Sequence, residues 1–290
     1  MSNDDKNELC YKYKDREDRQ GSNFMLQIGV FLMSKKEKKP IWLDKNIEKY
    51  KYINNLFFLP IKRNIELASL KNPVFLEVYG GMRGSSAQFV IKHKQDIVSY
   101  FYENYRNDYF EIVKKEAQTR NYELPWKNND DAICFHVRFE DMRRSVDRPS
   151  QRGFLRYVNL IENGNYEKQF KKCPTDKQCP INIIIFEKKI KELKEKYPTK
   201  QIYVITMHEP PGNYLNIIKK YNCISLSRNR EDYDCWLMAN CHTLVMTKST
   251  FPIVPAFYFQ GKEIHYQIWP RWACLGIGSK YDKSGWIGFN

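Results

Sequence analysis

Several features that would place this chain in a special class are missing from its sequence. Its 290 residues contain no apolar run as long as the roughly 18 residues that cross a bilayer, so we expect no membrane span. Residues 1–6 lack the apolar core of a secretory signal, which predicts a soluble, cytoplasmic protein. There is no internal repeat and no low-complexity tract, and the 42% of hydrophobic residues excludes a disordered chain.

The zinc-binding spacing of cysteines is also missing. None of the eight cysteines is separated from another by the two-residue gap of a zinc knuckle. Cys134, Cys223 and Cys241 lie in apolar or strand-like segments and are predicted to be small buried side chains. Cys173 and Cys179 flank a polar loop and could form a disulfide, but a chain without a secretory signal argues against one, so both states stay open.

The formal net charge is +14, which is compatible with nucleic acid, an anionic membrane surface or a phosphate-bearing small molecule as partner. Twenty tyrosines could stack on bases. However, no nucleic-acid-binding module is recognisable and the aromatic residues are spread through predicted core, so we expect no nucleic-acid partner. Many of the basic residues are predicted to lie on solvated helix faces: Lys35, Lys36, Lys38, Lys39, Lys188, Lys189, Lys191 and Lys194.

Strands and helices alternate along the chain, which predicts an α/β fold. Residues 9–14, 24–33 and 40–44 have the patterns of a strand, a helix and a strand, the order of a βαβ unit. The polar residues 15–23 are predicted to be the connecting loop. Further on we expect strands at 75–79, 132–135, 202–206, 223–226 and 244–247, and helices within 91–118 and at 181–196, 214–221 and 232–241. This alternation predicts a parallel sheet covered on both faces.

The polar stretch 126–131 predicts a boundary between two domains. We expect an N-terminal α/β domain at residues 1–128, a second α/β domain at residues 129–275 and a C-terminal tail at residues 276–290.

Two buried strands that are far apart in the sequence end in groups that bind phosphate. The first leads to His136 and Arg138, and the second leads to Lys248, Ser249 and Thr250. In open α/β sheets, ligands lie outside the carboxyl ends of the strands, so two such ends could hold one diphosphate from two sides. The pattern indicates a nucleotide-linked substrate.

Each strand end also has a purely structural interpretation. Arg138 could form a salt bridge with Glu140 or Asp141, and His136 could be satisfied by the backbone. Ser249 and Thr250 could simply cap the helix that residues 251–256 are predicted to begin.

His136-Val137-Arg138 followed by Asp141 resembles the His-x-Arg-x-x-Asp signature of the fucosyltransferase superfamily, and is most similar to that of the α-1,2-fucosyltransferase family. Four further segments are similar to motifs of that family in the same order, within about residues 9–275: residues 20–27, 234–241, 247–251 and 268–272.

The resemblance implies a GT-B-like fold, in which two Rossmann-like domains face each other across a cleft and the N-terminal one holds the acceptor. It implies a glycosyltransferase of glycan biosynthesis that moves fucose or another sugar from a nucleoside-diphosphate donor to a hydroxyl of a glycan or glycoconjugate. Inversion at the anomeric carbon, no cofactor besides the donor substrate and no obligatory divalent metal are implied as well.

The resemblance also implies roles for individual residues. Arg138 would hold the donor diphosphate, with His136 against the nucleoside or phosphate. Asp234 would read the base, although a helix-surface carboxylate is an equal alternative. The remaining donor-binding positions would be Lys248, Ser249, Thr250 and Phe251 on the opposite side, with Gly21 and Asn23 in the first loop. The candidates for the base that takes the acceptor proton are Asp147 first, then Glu140, Asp141 and Asp18.

The chain departs from the family at two points. Phe139 and Glu140 stand where the family usually has a second Arg and a Gly, which removes a cation near the diphosphate. The first loop lacks one Gly and the Gln after Asn23. The donor sugar and its base, GDP or UDP, therefore stay open, and the alternative function is a catalytically inactive relative that binds nucleotides or glycans.

Overall fold

The computed structural model describes residues 8–13, 20–39, 41–43, 73–76, 84–138 and 180–290. The chain divides into two compact units: residues 1–116 with 271–285, and residues 117–270 with 286–290. The domain boundaries expected after residues 128 and 275 stay predictions. Within the described ranges, no helix is long and apolar enough to cross a membrane.

The first unit contains a three-stranded parallel sheet. Its strands are β1 (Glu8–Tyr13), β2 (Ile41–Leu43) and β3 (Pro73–Leu76), in the spatial order β2-β1-β3. Helix α1 (Gln20–Glu37) connects β1 to β2, and the two strands pair in parallel. The predicted βαβ unit is therefore confirmed.

Helix α1 begins earlier than its sequence suggested. Gly21 and Asn23 were expected in a loop, but both lie in the first turn of the helix. A first helical turn has backbone N–H groups without partners inside the helix and tolerates polar residues, so polarity alone did not mark the end of the loop. Further along, Phe24, Ile28 and Phe31 are buried.

Three helices lie within the described residues 84–119, whereas the sequence suggested one helical region at 91–118, so most of the first of them was not predicted. They are α2 (Gly84–His93), α3 (Ile97–Asn104) and α4 (Arg106–Thr119). The break between α2 and α3 is set by the buried Asp96, whose carboxylate accepts a hydrogen bond from the Ser99 amide at 2.7 Å and so caps α3. Asp96 also accepts from the amide of Lys283 at 3.0 Å, which binds residues 271–285 to the first unit.

The second unit is built on a six-stranded sheet in which every neighbouring pair is parallel. The spatial order is β6-β5-β4-β7-β8-β9. This confirms the predicted α/β class with a parallel sheet. The strands are β4 (Ala132–His136), β5 (Gln201–Thr206), β6 (Ile224–Ser227), β7 (Thr243–Met246), β8 (Glu263–Gln267) and β9 (Ile287–Phe289).

Four α-helices of this unit lie close to where periodicity predicted them. They are α5 (Ile183–Lys196), α6 (Gly212–Lys220), α7 (Glu231–Ala239) and α8 (Ile253–Ala256). The side chain of Asn182 caps α5 by accepting from the Ile184 amide at 2.8 Å. One hydrophobic core joins α5 and α6 to the central strands, for example through Phe135, Phe186 and Tyr214.

Lys189 was predicted to lie on a solvated helix face, and this is wrong: it is 3% exposed. Its position follows Phe186 by three residues and precedes Leu193 by four, which is the spacing of one helix face, and both neighbours are fully buried. Its ammonium group contacts Glu192 Oε1 at 2.7 Å and His265 Nδ1 at 3.0 Å. Because Lys189 lies in a run of lysines, its place on the buried face of α5 was not recognised from the sequence.

Cys134 and Cys241 are buried as predicted, whereas Cys223 is only half-buried. Burial raises the pKa of the Cys134 thiol well above its usual value, which is typical of an inert structural cysteine. Cys173 and Cys179 lie outside the described residues.

Candidate functional site

The order of the strands reverses at β4. From β4 the chain builds the sheet outward through β5 and β6 on one side, and then returns to add β7, β8 and β9 on the other. The connection that follows β4 therefore runs toward one side of the sheet, and the connection that follows β7 runs toward the other. Open parallel sheets bind ligands in the crevice outside the carboxyl ends of two such strands. His136 is paired with Met246, so the two strands end at the same level.

His136 is the last residue of β4 and is 6% exposed. Burial and then the positive charge of Arg138 lower its pKa to about 3, so the imidazole is neutral at physiological pH. Within the described part of the chain, its Nδ1 atom is buried and has no hydrogen-bond partner. A buried polar atom of this kind is commonly the place where a ligand or water binds.

Arg138 is half-buried and lies two residues beyond His136. Between them, the Val137 amide donates to the Ile205 carbonyl at 3.0 Å, which continues the pairing of β4 with β5 by one residue. Residues two apart on an extended chain point to the same side, and the effect of Arg138 on the pKa of His136 agrees with their proximity.

The turn after β7 faces the end of β4. Ser249 and Thr250 are buried, and Ser249 Oγ accepts a hydrogen bond from the Phe251 amide at 3.3 Å. The Phe251 ring lies 5.6 Å from the His136 ring, measured between centroids. The two predicted strand ends are therefore in contact. Helix α8 is only four residues long, so its dipole is small. On the β7 side of the crevice, an anion would therefore be bound by hydroxyls and by amides of the turn.

Asp234 is buried in α7 and accepts a hydrogen bond from Asn229 Nδ2 at 2.9 Å, so the solvated-helix alternative does not hold. Asp234 belongs to an Asp-x-Asp tripeptide, Asp232-Tyr233-Asp234, and two such neighbouring carboxylates count against the expected metal independence. Asp232 is also buried and accepts from Arg120 and, at 3.2 Å, from Arg230. Both carboxylates thus have protein partners.

In the described ranges there is no group of three His, Cys, Asp or Glu residues that could hold a metal ion. Metal independence stays a prediction. Asp18, Glu140, Asp141 and Asp147 lie outside the described residues, so the identity of the base stays a prediction as well. Gly21 and Asn23 belong to the first unit.

A cavity of 420 Å³ at the ends of β5 and β6 was not predicted from the sequence. A signal was present, since Pro210-Pro211-Gly212 follows the buried strand β5 after only three residues and marks a loop at the ligand-binding edge of the sheet. The lining residues are His208, Glu209, Pro210, Pro211, Gly212, Asn213 and Arg228.

Comparisons with known proteins give limited similarity. No protein-family model matches the chain. A UPF0746 protein of Dictyostelium discoideum is 31% identical over 100 residues, which cover 34% of this chain and 8% of that protein. The matched region therefore spans a small fraction of the length of this relative.

The structure is also similar to crystal structures of POFUT1 in complex with GDP, in complex with GDP-fucose and in the apo form. Sequence identities are 10%, 10% and 11%, and TM-scores are 0.41, 0.43 and 0.43. The matches cover 91%, 91% and 92% of this chain and 98%, 98% and 99% of the POFUT1 chains. Similarity at this level does not assign a function.

Proposed function

We propose that this protein is a glycosyltransferase with a GT-B-like architecture. It transfers fucose or another sugar from a nucleoside-diphosphate donor to a hydroxyl of a glycan or glycoconjugate, with inversion and without an obligatory metal. The observation that carries the proposal is the reversal of strand order between β4 and β7, at which His136 and Arg138 lie opposite Ser249 and Thr250.

The chemistry of the reaction suits these groups. As the sugar–phosphate bond breaks, negative charge grows on the departing diphosphate, and fixed cations and hydrogen-bond donors lower the barrier. Arg138 supplies a guanidinium that can bind two phosphate oxygens at once. The hydroxyls of Ser249 and Thr250 supply donors from the other strand end, and Lys248 is a second cation on that side.

His136 supplies a neutral ring in this arrangement, because its pKa of about 3 keeps it unprotonated. A neutral imidazole can hydrogen-bond a nucleotide without adding charge. The proton of the acceptor hydroxyl goes to a carboxylate, for which Asp147 is the first candidate and Glu140, Asp141 and Asp18 are the others. A single displacement by the activated hydroxyl inverts the anomeric carbon.

Donor binding and transfer test this proposal with two variants and one control. GDP or UDP should raise the melting temperature of the wild type by mass action. Arg138→Ala should weaken nucleotide binding at least ~10-fold, since a charge-assisted contact is worth about 1.5–3 kcal/mol. Lys191→Ala removes an exposed cation on α5 and should bind like the wild type.

The second variant, Asp147→Asn, should bind the donor normally and lose transfer. The anomeric configuration of the first product, read by NMR, should be inverted. If no sugar nucleotide stabilises the wild type, the proposal fails. If a nucleotide binds tightly but neither transfer nor slow donor hydrolysis occurs, the inactive relative is the correct description. Transfer near the wild-type rate in Asp147→Asn would remove Asp147 as the base.

A further inference from the structure

The cavity lined by His208–Asn213 and Arg228 opens at the same edge of the sheet as the crevice between β4 and β7. Strands β4, β5 and β6 are parallel neighbours, with His136 paired to Ile205 and Thr206 paired to Ser227. Adjacent strands lie about 4.8 Å apart, which places the cavity roughly 5–10 Å to one side of the end of β4. In a nucleotide, the base and ribose extend to one side of the phosphates over a comparable distance.

Hydrogen bonds hold the walls of the cavity together. The Arg228 amide, in the loop after β6, donates to the Met207 carbonyl in the loop after β5 at 3.1 Å. The Thr206 hydroxyl donates to the carbonyl of His208. Arg228 has a φ of 64°, a left-handed conformation that non-glycine residues seldom adopt. The two loops therefore form a joined rim rather than two independent ones.

The lining combines apolar surface with a few polar groups of different kinds, which is typical of sites for small organic ligands. Pro210 and Pro211 supply apolar surface. Arg228 supplies a planar guanidinium that can stack on an aromatic ring. The carboxylate of Glu209 accepts from N–H and O–H groups, and the amide of Asn213 both donates and accepts. A nucleoside offers a flat ring, N–H groups and ribose hydroxyls.

We infer that this cavity binds the base and ribose of the donor nucleotide, while the crevice between β4 and β7 binds its diphosphate. The inference rests on the proposed function and deepens it, because it assigns the nucleoside to residues that lie apart from both signature segments. None of the seven lining residues belongs to a motif that the sequence resemblance covers.

Gly212 offers a direct test, because a Cβ atom added there meets nothing within 4 Å and φ is not in the left-handed region. Gly212→Leu should therefore fold normally and fill the cavity with its side chain. Asn216→Leu is the matched control: it adds the same side chain to an exposed position of α6 that does not line the cavity. Both variants are first checked for wild-type thermal unfolding.

Isothermal titration calorimetry with pyrophosphate, GDP and UDP separates the two parts of the site. Gly212→Leu should weaken the preferred nucleoside diphosphate at least ~10-fold and leave pyrophosphate unchanged, because only the nucleoside loses its contacts. Arg138→Ala should weaken both ligands, and Asn216→Leu should weaken neither. Arg228→Ala adds no bulk and should also weaken the binding of the nucleoside diphosphate without changing that of pyrophosphate. It replaces Gly212→Leu in the test if that variant does not fold.

The outcomes that contradict the inference differ from those that contradict the function. Wild-type nucleotide affinity in both Gly212→Leu and Arg228→Ala overturns the nucleoside cavity but leaves the glycosyltransferase proposal intact. If the wild-type protein binds neither pyrophosphate nor any nucleoside diphosphate, the proposed function fails, and the inference fails with it.

Discussion

At the scale of single residues, two buried polar side chains of the second unit, His136 and Lys189, differ in how completely the fold satisfies them. Lys189 has its partners in the fold: Glu192, His265 and the face of the Phe289 ring, 5.0 Å away. His136 has a buried Nδ1 atom without a partner among the described residues. Because leaving such an atom unpaired costs free energy, a complete set of partners indicates a structural role and an incomplete set indicates a site.

Lys189→Ala tests the structural role. The change leaves His265 Nδ1 without its donor and opens a hole in the core face of α5, so the free energy of unfolding should fall by about 2–4 kcal/mol. Chemical denaturation measures it. The neighbouring Lys188 is exposed, and Lys188→Ala should change stability by less than about 0.5 kcal/mol. Equal effects of the two substitutions would show that Lys189 contributes no more than a surface lysine.

At the scale of secondary-structure elements, α1 and α2 approach each other closely because α1 has a glycine at the crossing. A Cβ atom at Gly29 would lie 2.5 Å from the Ser86 amide nitrogen, a distance that real Cβ atoms do not adopt. At the same crossing, the Ser86 hydroxyl donates to the Met25 carbonyl. The small residue and the hydroxyl together allow two helices to pack backbone against backbone.

Gly29→Ala should therefore destabilise the protein, by about 1–3 kcal/mol, because the added methyl group meets backbone atoms that cannot move without separating the helices. Thermal and urea unfolding provide the measurement. Gly212→Ala is the matched control: the same substitution in open space at the start of α6 should be neutral or stabilise by up to about 1 kcal/mol. A neutral Gly29→Ala would mean that the crossing is looser than described.

At the scale of the whole molecule, acidification should weaken the fold through ionisable groups that connect α5 to β8. Glu263 contacts Lys196 at 2.8 Å and His265 at 3.0 Å. Burial pushes the pKa of Glu263 upward, but hydrogen bonds from Lys196, His265 and Tyr197 outweigh it and lower the pKa to about 2. Burial is the main cause that lowers the pKa of His265. Both groups thus bind protons more readily in the unfolded chain.

Stability should consequently decrease as the pH falls below the ordinary histidine pKa of 6.5, and further from 4.5 toward 2 as Glu263 takes up its proton. The Glu263 contribution is about 1–2 kcal/mol after allowance for solvent screening. Denaturant titrations between pH 7 and 3 measure it. Glu263→Gln should flatten the acid limb, whereas Glu195→Gln, at an exposed position of α5, should not. The same slope in both variants would contradict the assignment.

The sequence by itself determined the class of fold, most of the elements and the two strand ends that flank the crevice between β4 and β7. Strands such as β4 and β7 are short, continuous apolar runs, and the helices have the periodicity of one buried face, so local patterns were sufficient to find them. Polar groups directly after buried strands were a local signal too. That is why the positions of His136, Arg138, Ser249 and Thr250 at the ends of two buried strands could be predicted, whereas their binding roles stay predictions.

Only the tertiary structure decided which strands are neighbours, that Lys189 lies in the core and that a cavity forms beside Arg228. The loops after β5 and β6 meet because strand pairing brings Thr206 beside Ser227, residues that are distant in the chain. Burial and cavity shape depend on such long-range packing, and no local pattern contains it. The physical reason is the same for all three features. The free energy of packing depends on two segments that are distant in the chain, so the sequence of either segment alone does not determine which partner it contacts.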